Sequence, residues 1–244
     1  MSSLDRSGEG RGASESSSAA GSKLPSAGAP PPKLLDISRP LSNAAPVWPG
    51  DHATSVGWTA RMEDGASVNV GRITGSLHAA THADAPLHFS RDGAAIDEGN
   101  LSAYYGNACI LERIGIGPIT PDEVRESLSG GELPAPRVLF RTWPGEPPLG
   151  WVDDFAFFDP AAIHLLADLG AVLVGIDTSS FDAVDSTALP SHHALHERGV
   201  LNLENLDLSK ARIDRRYLLS AFPIRVEGMD AAPVRAVLID AGLE

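Results

Sequence analysis

The stretch from Asp159 to Asp177, DPAAIHLLADLGAVLVGID, decides the fold class. Asp159 supplies a capping carboxylate and Pro160 suits the first helical position, so a helix starts here. Gly170 is a typical helix stop. Ala171 to Ile176 is then nearly continuous in apolar residues, which suits a strand buried on both faces of a parallel sheet. Earlier in the chain, Arg137 to Thr142 reads as the preceding strand. Strand, helix and strand in this order fit a right-handed βαβ crossover, and hence a mixed α/β architecture.

Further elements extend outward from this unit. Leu34 to Ser38 reads as a first strand, Ser67 to Ile73 as another, and Ala108 to Ile114 as a third. Thr120-Pro121-Asp122-Glu123 opens a helix, with a capping hydroxyl, a proline and two acids at its positive end. Ser191 to Gly199 reads as a short helix with a serine cap and a glycine stop. Val200 to Leu206 alternates as a strand, placing Asn202 and Glu204 on one face. Pro233 to Ile239 closes the chain as a last strand. Residues 1–33, rich in Ser, Ala, Gly and Pro, cannot bury enough apolar surface to offset their ordering entropy. They are expected to be a disordered tail, followed by a single domain over residues 34–244.

Composition excludes several functions. The 244 residues carry a net charge of -13, which disfavours nucleic acid and anionic membranes as partners. No apolar run approaches the length of a membrane span. Cys109 is the sole cysteine, so no intrachain disulfide forms, and Ala108-Cys109-Ile110-Leu111 reads as buried core. No glycine-rich phosphate loop is present.

The chemistry concentrates in residues 78–88, HAATHADAPLH, which hold three of the chain's eight histidines and an aspartate. Imidazole and carboxylate are preferred ligands of zinc and other borderline divalent metals. His82 and Asp84, two apart, point to one side of an extended chain, and Pro86 opposes a helix through the segment. The segment thus reads as a strand end or tight loop presenting His78, His82 and Asp84, with His88 left over. A second polar group follows, with Asp177 to Ser180 at the carboxyl end of the parallel strand, then His192, His193 and His196, then Glu204. His192 and Glu204 converge if their helix folds back on the strand; otherwise they form a solvated helix start and a polar strand face.

These residues resemble a family. The first cluster is similar to the His-x-Gly-Thr-His-x-Asp-x-Pro-x-His signature of the cyclase-like metal-dependent hydrolases, most closely their bacterial kynurenine formamidase (arylformamidase) members. Trp48 to Asp51, Tyr105-Gly106, Asp177 to Asp182, His192 to Ala194, Leu203 to Leu206 and Met229 to Leu238 carry the resemblance onward, from about Leu34 to the end. It implies a mixed-sheet swivelling β/β/α-type domain. It implies metal ligands at His78, His82, Asp84, His192 and Glu204, holding one or two divalent ions, zinc first. His88 would be the general acid/base, and Trp48 a wall for an aromatic substrate. The implied reaction is hydrolysis of N-formyl-L-kynurenine to L-kynurenine and formate by a cytoplasmic homodimer. Hydrolysis of a cyclic amide or lactone such as isatin, or metal binding without catalysis, are the alternatives. His193 and His196 receive no role and read as structural or surface residues. Ala80 stands where the family has glycine; if that glycine adopts a positive φ, alanine costs roughly 1 kcal/mol there.

Overall fold

The computed structural model describes residues 32–128 and 131–240. The expected disordered tail lies outside the described residues as far as residue 31, and Lys33 already belongs to the first strand. In chain order the elements are β1 (Lys33–Asp36), β2 (Ser55–Ala60), β3 (Val70–Thr74), β4 (His82–Asp84), β5 (Tyr105–Glu112) and β6 (Gly117–Ile119). Then follow α1 (Pro121–Ser127), β7 (Arg137–Arg141), β8 (Ala156–Phe158), α2 (Pro160–Asp168), β9 (Leu173–Ile176) and α3 (Pro190–Arg198). The chain ends with β10 (Leu201–Leu203), β11 (Arg216–Ser220), β12 (Ala231–Pro233) and β13 (Val237–Asp240).

Seven strands form one sheet in the order β1-β13-β11-β5-β7-β9-β10. It is mixed: β5, β7, β9 and β10 run parallel, while β11, β13 and β1 join antiparallel. Successive side chains of a strand face opposite sides, and here both sides are buried. Ala108, Ile110, Leu139 and Leu173 enter one core with Leu203, Leu206 and Leu238. Cys109, Leu111, Val138, Phe140, Val174 and Ile176 enter a second core beneath Val124 of α1, Ile163 and Leu166 of α2, and Leu195 of α3. That double burial is why β9 and the middle of β7, Val138 to Phe140, read as apolar runs. It also makes Cys109 inert, since burial pushes its thiol up to about 11.

The caps follow the local chemistry at two helices. Thr120 Oγ1 accepts from the Glu123 amide at 3.3 Å, and Glu123 Oε2 accepts from the Thr120 amide at 2.8 Å. Asp159 Oδ1 accepts from the Ala161 amide at 2.8 Å, and α2 ends before Gly170 at φ 96°. The third helix departs from expectation. Ser191 lies inside it and donates its hydroxyl to the Phe158 carbonyl. Asp182 caps the helix instead, accepting from the amides of Ser191 at 2.8 Å and His192 at 3.1 Å.

Several strands differ in extent. The strand expected from Ala108 to Ile114 spans Tyr105–Glu112. The strand expected from Ser67 begins at Val70, because Asn69 is engaged in a turn, accepting from the Met62 amide at 2.7 Å. The strand expected from Val200 to Leu206 ends at Leu203, and Asn205 then turns left-handed at φ 55°. The final strand is two strands. Ala231–Pro233 pairs with β4, whereas Val237–Asp240 joins the main sheet.

Candidate metal centre

The site is built on β4. Its three residues are fully buried, paired on one side with β12 and bridged through His82 to Glu204 just past β10. This clamp brings residues from distant parts of the chain to one point. His82 Nε2 lies 3.3 Å from Asp84 Oδ1 and 3.3 Å from Glu204 Oε2. His192 Nε2 lies 3.5 Å from Asp84 Oδ2 and 3.3 Å from Glu204 Oε1. His78 Nδ1 lies 2.9 Å from Asp84 Oδ1. The structure therefore brings together His78, His82, Asp84, His192 and Glu204. Among the described residues three groups could hold a metal, each with ligand atoms within 4.8 Å of one another: His78/His82/Asp84 and Asp84/His192/Glu204, which share Asp84, and the more exposed His78/His88/Asp230.

The ring nitrogens are sorted by their neighbours. His82 Nδ1 lies 3.0 Å from the Ala80 carbonyl, which can only accept. Nδ1 is thus a donor, which leaves Nε2 facing the carboxylates, protonated where no metal competes and available as a ligand where one does. His192 Nδ1 lies 2.6 Å from Asp182 Oδ2, so its Nε2 faces inward by the same logic. Such outer partners fix ligand orientation at metal sites. Asn202 completes the support, donating to Asp84 Oδ2 at 2.6 Å and accepting from the Asp84 amide at 3.2 Å.

A cation fits this donor set. Among the described residues, His82 Nε2 and Asp84 Oδ1 are two of three buried side-chain polar atoms that make no well-aligned hydrogen bond, the third being Thr54 Oγ1, and Asp84 Oδ1 has only the His78 ring nitrogen at 2.9 Å beside it. Leaving such atoms unsatisfied is costly, and both aim at the same point. The electrostatics agree. Burial would pull His82 down, but Asp84 and Glu204 outweigh it and raise it to about 10. Burial likewise opposes a raised His78, which Asp230 and Asp84 lift to about 9. Burial would raise Asp84, yet the surrounding histidines hold it well below the usual carboxylate range. The pocket is anionic enough to collect protons wherever no metal competes.

His88 sits at the edge of this cluster, on the one-turn helix Pro86–His88. Gly93 packs its backbone against Pro86 at a distance that leaves no room for a Cβ, which holds that turn in place. The His88 ring lies 4.2 Å from that of His78. Both imidazoles, with His82 and His192, line a cavity of about 320 Å³ whose wall includes Trp48 and Trp151. The two indoles meet edge to face at 4.9 Å. His193 and His196 are exposed and touch Phe89 rather than the cluster. Sequence reading missed Asp182, Asp230 and Trp151. Asp230 Oδ2 lies 3.0 Å from His78 Nε2 and 3.4 Å from His88 Nδ1. Only its place in the Met229–Leu238 stretch pointed to it.

Ala80 is fully buried with φ 57°, the left-handed conformation anticipated for the family's glycine. Three effects compete in Ala80→Gly. Relief of left-handed strain favours glycine by roughly 1–2 kcal/mol, while loss of a buried methyl costs about 0.8 kcal/mol and added unfolded-state entropy about 0.4–1 kcal/mol. Ala80→Gly is therefore expected to change stability by less than about 1 kcal/mol. Ala80→Val, β-branched at positive φ with no free space, is expected to lose about 2–4 kcal/mol. Thermal denaturation of the two variants checks the small change expected for glycine against the loss expected for valine.

The family described as "Putative cyclase" matches residues 35–183. The kynurenine formamidase of Salinibacter ruber is 46% identical over 210 residues, covering 85% of this chain and 98% of that protein. The kynurenine formamidase of Delftia acidovorans is 43% identical over 207 residues, covering 84% and 97%. A solved structure described as a predicted metal-dependent hydrolase from Bacillus stearothermophilus superposes with a TM-score of 0.68 at 27% identity, covering 85% of this chain and 98% of that one. A family match across most of the folded residues, joined to a buried histidine–carboxylate cluster, places the chain: it belongs to the cyclase family of metal-dependent hydrolases.

Proposed function

We propose that this chain hydrolyses N-formyl-L-kynurenine to L-kynurenine and formate. One observation carries the reading: in a chain whose close relatives are kynurenine formamidases, the metal-competent cluster and His88 open onto one cavity walled by two indoles. His78, His82, Asp84, His192 and Glu204 are the proposed ligands, with Asp84 and Glu204 able to serve two ions. Zinc, as one or two ions, suits the mixed imidazole and carboxylate donors. When bound, the metal supplies Lewis acidity, bringing the pKa of water towards neutrality and stabilising negative charge on a carbonyl oxygen.

The chain's own groups do the rest. Trp48 and Trp151 offer flat apolar faces to the substrate's aromatic ring. Water adds across the formyl C–N bond; its oxygen ends on formate, and the aniline nitrogen must gain a proton to leave. His88 is placed to deliver that proton, because imidazole gives and takes protons near neutral pH. No helix among the described residues is long and apolar enough to cross a membrane. A cytoplasmic homodimer belongs to the same reading, and the exposed Val56, Trp58 and Ile73 on one face of the β2–β3 hairpin give a dimer an apolar face to cover.

The test is turnover of N-formyl-L-kynurenine by the purified full chain, with metal content measured on the same sample and isatin as the competing substrate. Chelation is expected to abolish turnover and added zinc to restore it. Faster hydrolysis of isatin would move the function to cyclic amides. Metal uptake carries its own signature. His78 and His82, raised to about 9 and 10 without a cation, hold protons at pH 7, so uptake there is expected to release protons. Calorimetry in buffers of different ionisation enthalpy reads that release.

A further inference from the structure

We propose that Asp230 is a positioning residue that orients the metal ligand His78 and the acid/base His88 with one carboxylate. This rests on the roles just proposed for those two histidines. A single oxygen, Asp230 Oδ2, stands 3.0 Å from His78 Nε2 and 3.4 Å from His88 Nδ1. A carboxylate accepts only, so each facing nitrogen is the donor of its ring. His78 then presents Nδ1 to Asp84, the direction in which a ligand is needed. His88 then keeps Nε2 as its free nitrogen for exchange with substrate. Without a partner, a neutral imidazole can carry its proton on either nitrogen. Asp230 selects one form in both rings at once.

The backbone holds Asp230 for this task. Its carbonyl accepts from the Ala85 amide at 2.7 Å, between Asp84 and the turn that carries His88. The carbonyl of the preceding Met229 accepts from the Ile96 amide at 2.9 Å. Ala231 then opens β12 directly opposite Asp84. The short strand that clamps the proposed ligands therefore also delivers the carboxylate, which explains why β12 leaves the main sheet.

The experiment uses the zinc-loaded full chain labelled with ¹⁵N-histidine, with His88→Ala assigning the His88 signals. The wild-type protein is expected to show His88 as the Nδ1–H tautomer. Asp230→Ala is expected to lose that preference and to lower kcat about 10–100-fold, while KM changes less than about threefold and zinc stoichiometry is unchanged. Asp230→Glu is expected to recover part of both. Asp230→Asn, near-isosteric, serves if the alanine variant does not fold; its amide can accept or donate, so a weakened preference for the Nδ1–H form is expected. An unchanged His88 tautomer overturns the proposal. So does loss of one zinc equivalent, which would make Asp230 a ligand, or a rise in KM alone. If the wild-type chain fails to hydrolyse N-formyl-L-kynurenine, the substrate reading falls, and the tautomer still decides the role of Asp230.

Discussion

His82→Ala is expected to empty the site of metal and to lower turnover on N-formyl-L-kynurenine by about 10³-fold or more, several kcal/mol of transition-state stabilisation being lost with the ion. The effect is large because His82 is central to the cluster. Its Nε2 stands 3.3 Å from a carboxylate oxygen of Asp84 and 3.3 Å from one of Glu204, and it makes no well-aligned hydrogen bond. The imidazole is fully enclosed, so no water shell waits to replace it. Its removal leaves Asp84 and Glu204, both buried acids, facing each other with less positive charge between them. Elemental analysis of the dialysed variant should find metal well below the wild-type content, and added zinc should restore little activity. His193→Ala is the matched control, because His193 is exposed beside Phe89 and outside the cluster. A His82→Ala protein that keeps full metal content after dialysis would remove His82 from the proposed ligand set.

The local half of this architecture was legible in the sequence. Thr120 and Asp159 cap their helices through neighbours two or three residues away, so their signals are complete within a short window. The apolar run at β9 is likewise explained where it stands, by two cores on its two faces. The His78–His88 segment announced itself because it packs three of the chain's eight histidines and an aspartate into eleven residues. What stayed hidden depends on distant partners. Ser191 looked like a cap, but Asp182 took that role from nine residues upstream, and its carboxylate then turned to the His192 ring. Pro233 to Ile239 looked like one strand, since nothing in the alternation shows a chain changing sheets at Val237. The partner that forces the change is β4, about 150 residues earlier. Asp230 was invisible for the same reason, its contact with His78 spanning 152 residues. The convergence of His192 and Glu204 was open on local grounds, because it required α3 to fold back beside β10.

His88→Ala is expected to separate proton transfer from metal binding. If His88 only moves protons, the variant keeps its fold and its metal and loses about 10²–10⁴-fold in turnover on N-formyl-L-kynurenine. The geometry supports this division. His88 is the most exposed of the four clustered imidazoles, with 32% of its side chain open to solvent, and it packs on the His78 ring instead of facing Asp84 or Glu204. Its removal therefore leaves both ligand groups that share Asp84 intact. The leaving aniline is what makes the loss large, since the nitrogen departs poorly unless protonated. A formyl ester of a phenol, whose leaving group needs no proton, should accordingly be much less sensitive to His88→Ala. The ratio of the two rate losses isolates the proton-transfer contribution from any general disturbance of the pocket. Equal losses on both substrates would show that His88 acts through substrate placement, and an emptied site would make it a ligand. Full turnover of the formamide by the variant would require another acid in the cavity.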